Sequence, residues 1–168
     1  MLPLALLGAL LAGERIRTAR RGADRGLLAE LIGASGLSLS ALVAWVAATG
    51  GLDSTGWLVW ALNAAFFSCG ILYVKSRVRA RRAHRRPQAG AMAGVTITFN
   101  FAVVMFVLVL VWRGWIAPLV VVPFVLATVR AKWGLSTKQK WLPLPRLGWS
   151  EVALSLVFAA LLILGFRR

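Results

Sequence analysis

The feature that most constrains this chain is a series of six apolar runs, and three of the five short segments between them are rich in arginine and lysine. A helix needs roughly 20 apolar residues to cross a hydrocarbon core of about 30 Å. The sequence therefore predicts an all-α fold, a polytopic transmembrane helical bundle with six spans, five of them full and the first one short. The runs cover about residues 1–13, 26–49, 56–73, 93–112, 115–129 and 149–166.

The overall composition supports a membrane environment for these runs. Of the 168 residues, 60% are hydrophobic, and the mean hydropathy is +0.78. A soluble chain of about 150 residues buries only about two-thirds of the surface that it exposes when unfolded, which leaves too much apolar surface in water. Six spans and their loops use the whole length, so we expect residues 1–168 to form a single transmembrane domain.

The basic residues give the predicted bundle an orientation. A net charge of +15 would suggest nucleic-acid binding in a soluble protein, but no basic stretch here is long enough for such a domain. Three loops hold five, seven and five of the 20 lysines and arginines, and six spans place all three loops on one side. The positive-inside rule makes that side cytoplasmic. We therefore expect a multi-pass protein of the bacterial cytoplasmic (inner) membrane, with both termini outside and no nucleic-acid partner.

Few residues carry the chemistry that cofactors and catalysis require. His84 is the sole histidine and Cys69 the sole cysteine, so haem, zinc and iron–sulfur sites lack their ligand sets. UbiA-type prenyltransferases hold magnesium diphosphate with aspartate-rich motifs on two cytoplasmic loops. This chain has only Asp24 and Asp53, which are predicted on opposite sides of the membrane. We expect no cofactor, no metal and no catalytic residues, and we favour a non-enzymatic protein.

Ionisable residues at the cytoplasmic ends of three spans form a candidate site. Glu30 and Glu151 lie about one turn into their spans, and Lys75, Arg77 and Arg79 end the third span at the same depth. Charges inside a membrane are costly and are usually paired or functional. The simpler interpretation is an ion pair of either glutamate with Lys75 or Arg77, or snorkelling of the long side chains. The functional interpretation is a pocket for an anionic headgroup or a diphosphate, with the basic residues as the clamp.

Three uncharged polar residues are predicted at membrane depth. Thr96 and Asn100 share a face of the fourth span, and Asn63 lies in the third. Hydrogen bonding between helices is the expected role of all three. Pro118 and Pro123 are expected to kink the fifth span.

Three stretches of the chain resemble the C-terminal part of the YwiC-like family of bacterial membrane proteins. They are residues 17–45, residues 67–82 with the string LYVKSRVR, and residues 136–164. The resemblance covers nearly the whole chain and implies an integral membrane architecture but no reaction. Family members begin with a further segment that bears a Glu/Gln-His-Gly-Ala-Trp motif, and they carry a histidine early in the fourth span. This chain matches neither feature, so we expect that an N-terminal part is missing.

Three functions stay open at this point. We prefer a non-enzymatic accessory, scaffold or lipid-binding component, with the lipid bilayer as its partner and an anionic lipid, a quinone or isoprenoid, or a larger membrane complex as further candidates. The first alternative is a lipid- or isoprenoid-handling enzyme distantly like the UbiA-type bundles. The second is a small-molecule transporter, which needs a polar site at the midplane of the membrane, and Asn63 and Asn100 give thin support for one.

Overall fold

The computed structural model describes residues 26–82, 88–135 and 144–166, and every regular element in these ranges is helical. The elements are α1 (Leu27–Thr49), α2 (Ser54–Arg82), α3 (Gln88–Trp112), a 3₁₀ turn (Pro118–Val120), α4 (Val121–Leu135) and α5 (Leu144–Phe166). With the 3₁₀ turn counted as the start of α4, these ranges hold five helices long and apolar enough to cross a membrane. The first apolar run lies outside the described residues, so the sixth span stays a prediction.

The helices continue past the apolar runs at their basic ends. The third run stops at about Tyr73, but α2 continues to Arg82. On either side of the predicted loop 130–148, α4 ends as late as Leu135 and α5 begins as early as Leu144. Arginine and lysine are good helix formers, and their long stems let the charged groups reach the interface. Hydropathy therefore marks the part of each helix that lies in hydrocarbon, and the helix itself is longer.

The two prolines of the fifth span lie in its first turns. Ala117 is extended, with φ −69° and ψ 145°, and Pro118 then begins the 3₁₀ turn. Pro123 is the third residue of α4. The first backbone N–H groups of a helix have no acceptor within the helix, so proline costs little at these positions.

The chain separates into two compact units, one ending at Ile71 and the other beginning at Leu72. In the first unit, α1 ends at Gly50, whose φ of 79° lies in the left-handed region that favours glycine. The Gly50 N–H donates to the carbonyl oxygen of Val46 at 2.9 Å. This bond satisfies one of the carbonyls that the end of a helix leaves free.

A single carboxylate organises the turn between α1 and α2. The Oδ1 atom of Asp53 accepts a hydrogen bond from the Gly56 N–H at 2.8 Å, which caps the start of α2. The same oxygen accepts from the indole Nε1 of Trp45 on α1, also at 2.8 Å. Because Gly56 has no side chain, Trp45 and Leu42 lie directly against its backbone; a Cβ there would be 2.8 Å from Trp45 Cδ1 and 3.0 Å from Leu42 Cδ1.

A second indole joins the same two helices one or two turns deeper. Trp60 on α2 donates from Nε1 to the carbonyl oxygen of Ser35 on α1 at 3.1 Å. Its ring packs against a buried cluster of Leu39 and Leu42, together with Val46. In the first unit, α1 and the start of α2 thus form a helical hairpin that two tryptophans bind together.

In the second unit, α3 turns sharply into the span that follows it. Gly114 has a φ of 72°, the Gly114 N–H donates to Val111 O at 2.8 Å, and the Trp115 N–H donates to Leu110 O at 3.0 Å. This pair of bonds is the Schellman motif, in which a left-handed glycine ends a helix. The chain then returns as α4, which packs against α3.

The fifth helix packs on the beginning of the span that contains α4. The 3₁₀ turn contacts α5 closely, since a Cβ at Gly165 would lie 2.5 Å from Val120 Cγ2. One turn further along, Phe124 and Phe158 are almost fully buried and meet edge to face, with ring centroids 5.7 Å apart. Such aromatic pairs contribute beyond the area that they bury.

The outer surface of the second unit is apolar, with tryptophans at its two ends. Phe101, Leu156 and Ile163 are each at least 60% exposed, which suits contact with lipid tails. Trp115 and Trp133 are similarly exposed; Trp115 precedes the 18 residues of Pro118–Leu135, and Trp133 lies near their end. A helix of that length rises ~27 Å. This is close to the thickness of the hydrocarbon core, and tryptophan rings favour the headgroup level on either side of it.

Replacing Gly56 with alanine tests the close contact in the α1–α2 hairpin. The added Cβ would collide with Trp45 and Leu42, so we expect Gly56→Ala to lower the free energy of unfolding by about 1–3 kcal/mol. Gly94 in α3 is the matched control, because a Cβ there meets nothing within 4 Å. Gly94→Ala should be neutral or stabilise by up to ~1 kcal/mol. Unfolding in mixed micelles measures both; equal effects would contradict the contact.

Candidate functional site

The five ionisable residues of the predicted site lie on three helices, α1, α2 and α5. Glu30 lies in the first turn of α1, in the first unit, whereas the other four belong to the second unit. Lys75 is half-buried in α2, and Arg79 is exposed there, with Nη1 3.5 Å from the sulfur of Met92. A contact with sulfur at that distance is weak.

Arg77 is bound to the backbone of another helix. Its side chain is buried, and its Nη1 donates to the carbonyl oxygen of Gly134. Gly134 is in the last turn of α4, where carbonyl groups have no partner within the helix. Arg77 thereby caps α4 with a charged donor, an interaction that also favours the negative end of the helix dipole.

Glu151 is paired with Arg130, which lies in α4 and not in the loop predicted for residues 130–148. The Nη2 atom of Arg130 on α4 donates to Oε1 of Glu151 on α5, and about a quarter of each side chain is exposed. The Nη1 atom of Arg130 is 3.5 Å from the hydroxyl of Ser150. Because Glu151 shares its depth with Lys75 and Arg77, depth alone predicts one of those two as its partner. Consecutive helices are usually neighbours, and this signal would have favoured Arg130, which lies on the helix just before Glu151.

An aromatic ring supports the guanidinium from the side of α2. The Cζ atom of Arg130 lies 4.4 Å from the ring centroid of Tyr73, within the range of a cation–π interaction. Tyr73 is buried and packs with Ala131 and Leu147. Gly134 makes this packing possible, because a Cβ there would lie 2.3 Å from the Tyr73 hydroxyl. Side chains of two other helices, α2 and α5, contact the guanidinium of Arg130, yet its Nε atom is buried without a hydrogen-bond partner.

A groove of about 680 Å³ lies between α4 and α5 beside this arginine. We call it the α4–α5 groove. Its volume is within the range of small-molecule sites in proteins. Among the described residues that line it, Arg130 is the only charged one, with the hydroxyl of Ser150 nearby. The other lining side chains are mainly apolar, and Val129 and Trp133 are exposed at its open side. The apolar part of the lining includes Leu126, Val129, Ala153, Leu154 and Val157.

The uncharged polar residues of the predicted spans bond to backbone and to each other. Thr96 is fully buried; its hydroxyl lies 2.6 Å from that of Ser76 and donates to Met92 O at 2.9 Å. Asn100 is 1% exposed and donates from Nδ2 to Thr96 O at 2.9 Å. In the first unit, Asn63 donates to the carbonyl one turn earlier in α2, at 2.8 Å. The Ser76–Thr96 contact joins α2 and α3.

The described part of the chain thus contains a groove beside the pair of Arg130 and Glu151. Among the described residues, no three histidine, cysteine, aspartate or glutamate side chains come close enough together to hold a metal ion. The α4–α5 groove combines an apolar wall with one compensated charge, an arrangement that suits an amphipathic molecule. The fold and the site together define a multi-pass helical membrane protein. No protein-family model, curated protein or solved structure matches this chain.

The pair of Arg130 and Glu151 is open to a double-mutant cycle. Arg130→Met or Glu151→Gln leaves one partner of a largely buried pair without its counterpart. We expect each to lower the free energy of unfolding by about 2–3 kcal/mol, less than for a fully buried pair. Arg130→Met combined with Glu151→Gln should recover part of that loss, since no charge is left unpaired. Lys132→Gln, an exposed change on the same helix, is the control; additive losses in the cycle would contradict the pair.

Proposed function

We propose that this protein is a non-enzymatic lipid-binding component of the bacterial inner membrane, and that the α4–α5 groove holds the acyl chain of a bound lipid. The observation that carries the proposal is the groove itself. It opens among exposed apolar side chains of spanning helices, and it has one polar place, at Arg130 and Ser150. A lipid chain that enters from the surrounding bilayer meets an apolar wall, and its polar end can reach the guanidinium of Arg130.

The position of the polar residues along the helices supports this function. Arg130 lies just over one turn before the end of α4, and Trp133 lies closer to that end. A tryptophan so placed favours the headgroup level, which puts Arg130 slightly deeper, near the level of the ester groups of a phospholipid. Elsewhere in the second unit, Thr96 and Asn100 are buried and hydrogen-bonded, so the groove is the better candidate for a ligand than their surroundings.

The wider setting that we propose follows the sequence. The three basic segments are cytoplasmic, the chain has six spans with both termini outside, and it is a relative of the YwiC-like membrane proteins. In this orientation the α4–α5 groove faces the cytoplasmic leaflet. A larger membrane complex is the second class of partner that we propose, because α5 is the span with the smallest share of its residues buried.

In the isoprenoid-handling alternative, the substrate occupies the same groove, but the groove must also supply catalytic groups. An enzyme would need groups that activate a bond in or beside the groove. The described lining supplies one arginine, which is already paired, and one serine, whose hydroxyl donates to Leu147 O at 2.7 Å. Binding is the function that this set of residues favours.

Filling the groove tests the proposal. Ala153 lines it, and Ala153→Trp would occupy the space that the acyl chain needs. Ala159 is an exposed alanine of the same helix outside the lining, so Ala159→Trp is the matched control. We expect native mass spectrometry of the purified protein to find a retained phospholipid in the wild type and in Ala159→Trp, reduced at least about tenfold in Ala153→Trp, since a filled pocket forfeits its contacts. Equal retention in all three would refute the proposal.

Site-directed labelling tests the orientation. Cys69 is 2% exposed, and Cys69→Ala provides a background without cysteine. Gly51→Cys, in the exposed turn between α1 and α2, should react with a membrane-impermeant maleimide in intact cells. Gln139→Cys, between the last two predicted spans, should react only after the cells are opened, because the positive-inside rule puts its loop in the cytoplasm. The reverse pattern would overturn the orientation.

A further inference from the structure

The guanidinium of Arg130 has more hydrogen-bond donors than its neighbours use. An arginine side chain carries five N–H groups. Among the described residues, Arg130 donates from Nη2 to Glu151, and its Nη1 atom lies 3.5 Å from the hydroxyl of Ser150. Its Nε atom is the only buried side-chain nitrogen or oxygen in the described ranges that has no hydrogen-bond partner. Because buried donors are normally bonded, a further acceptor would suit this place.

The α4–α5 groove gives a ligand access to this donor. Arg130 lines the groove, and about a quarter of its side chain is exposed. The neighbouring Ser150 hydroxyl donates to Leu147 O at 2.7 Å, so it does not donate to a ligand at the same time. Arg77 is buried, lies outside the described lining and donates to Gly134 O. A ligand therefore meets one charged donor among the described lining residues, and it must bring the acceptor.

Glu151 balances the charge of that donor. A carboxylate or phosphate of a ligand at Arg130 would lie close to Glu151, so two negative groups would share one guanidinium. Their repulsion is strong here, because most of each side chain in the pair is buried. An uncharged carbonyl oxygen adds no charge, and it can still accept a charge-assisted hydrogen bond from Arg130. The pair therefore favours a neutral acceptor over an anion.

From these contacts we infer that Arg130 donates a hydrogen bond to an ester carbonyl of the lipid in the groove, and that Glu151 keeps anionic groups away from this place. This recognition rests on the lipid-binding function proposed above, to which it adds the chemical group that is bound. An acyl chain of a glycerolipid begins at its ester carbonyl. Leu126 lies one turn before Arg130 in α4, so the apolar lining extends from Arg130 toward the middle of that helix. On α5, Leu154 lies one turn after Ser150, again toward the middle. A chain along this lining puts its carbonyl beside Arg130.

Two phosphatidylcholines that differ only in the linkage of their chains test the recognition of the carbonyl. Dipalmitoyl phosphatidylcholine has ester linkages, and its dihexadecyl ether analogue has the same headgroup and chain length without a carbonyl. The purified protein is exposed to both at equal concentration in detergent, and native mass spectrometry measures the ratio of the two bound species. We expect the wild type to prefer the diester at least about tenfold, since the ether loses a hydrogen bond to a charged group. Arg130→Met combined with Glu151→Gln leaves no charge unpaired and should abolish the preference.

Hexadecanesulfonate, a permanently anionic amphiphile, tests the role of Glu151. We expect it to displace the diester weakly from the wild type and at least about tenfold better from Glu151→Gln, because the guanidinium then has no counter-ion. Asp53→Asn is the control, since it makes the same change of a carboxylate to an amide outside the described lining. Asparagine caps a helix about as well as aspartate, so this variant should respond like the wild type. Equal displacement from the wild type and from Glu151→Gln would contradict the role of Glu151.

The outcomes separate this inference from the function on which it rests. If Ala153→Trp removes both phosphatidylcholines while the wild type binds them equally, the groove binds lipid chains without recognising a carbonyl, and the inference is wrong. A preference for the diester that persists in the double variant would also contradict it. If Ala153→Trp removes neither lipid, the lipid-binding function fails first. Displacement of the diester by equimolar decylubiquinone would make a quinone the source of the carbonyl and would overturn the inference. The double variant gives a result even if Glu151→Gln fails to fold, because it removes both charges of the pair.

Discussion

In hydrocarbon, a polar group must find its partner within the protein, and this requirement shapes the described part of the chain at every level. The backbone meets it by forming helices. Small polar side chains meet it by bonding to the carbonyl of the preceding turn, as Ser38 does to Ala34, Thr128 to Phe124 and Asn100 to Thr96. The guanidinium of Arg130 finds most of its partners on two other helices, where it contacts a carboxylate, a hydroxyl and an aromatic ring.

The need of polar groups for partners inside the membrane also explains which features the sequence could predict. Apolar runs report directly on hydrocarbon, so the helical class and the five described spans follow from them. The ends of the helices do not, because arginines such as Arg79 and Arg82 continue a helix after the hydrocarbon has ended. The sequence predicts that Pro118 and Pro123 disturb the fifth span. It does not show that they lie in its first turns, because that depends on where the preceding turn ends.

The site was harder to predict than the fold, for a reason that Arg130 illustrates. Depth in the membrane can be read from the sequence, and it correctly placed Glu151 inside a span. Which helices are neighbours, and which side each residue faces, depends on packing between side chains far apart in sequence. Arg77 shows the same limit, because its acceptor is a backbone carbonyl, that of Gly134, on a helix far away in the sequence. Hydropathy carries no information about such fits.

The α1–α2 hairpin differs from the second unit in how far apart its contacts lie along the chain. The bonds from Asp53 to Gly56 and to Trp45 span 3 and 8 residues, and that from Trp60 to Ser35 spans 25. The bond from Arg77 to Gly134 spans 57. Local contacts need little loop closure, and chains are synthesised from the N-terminus. The hairpin can therefore assemble while the ribosome is still making α3, whereas the bond from Arg77 to Gly134 cannot form until α4 has been made.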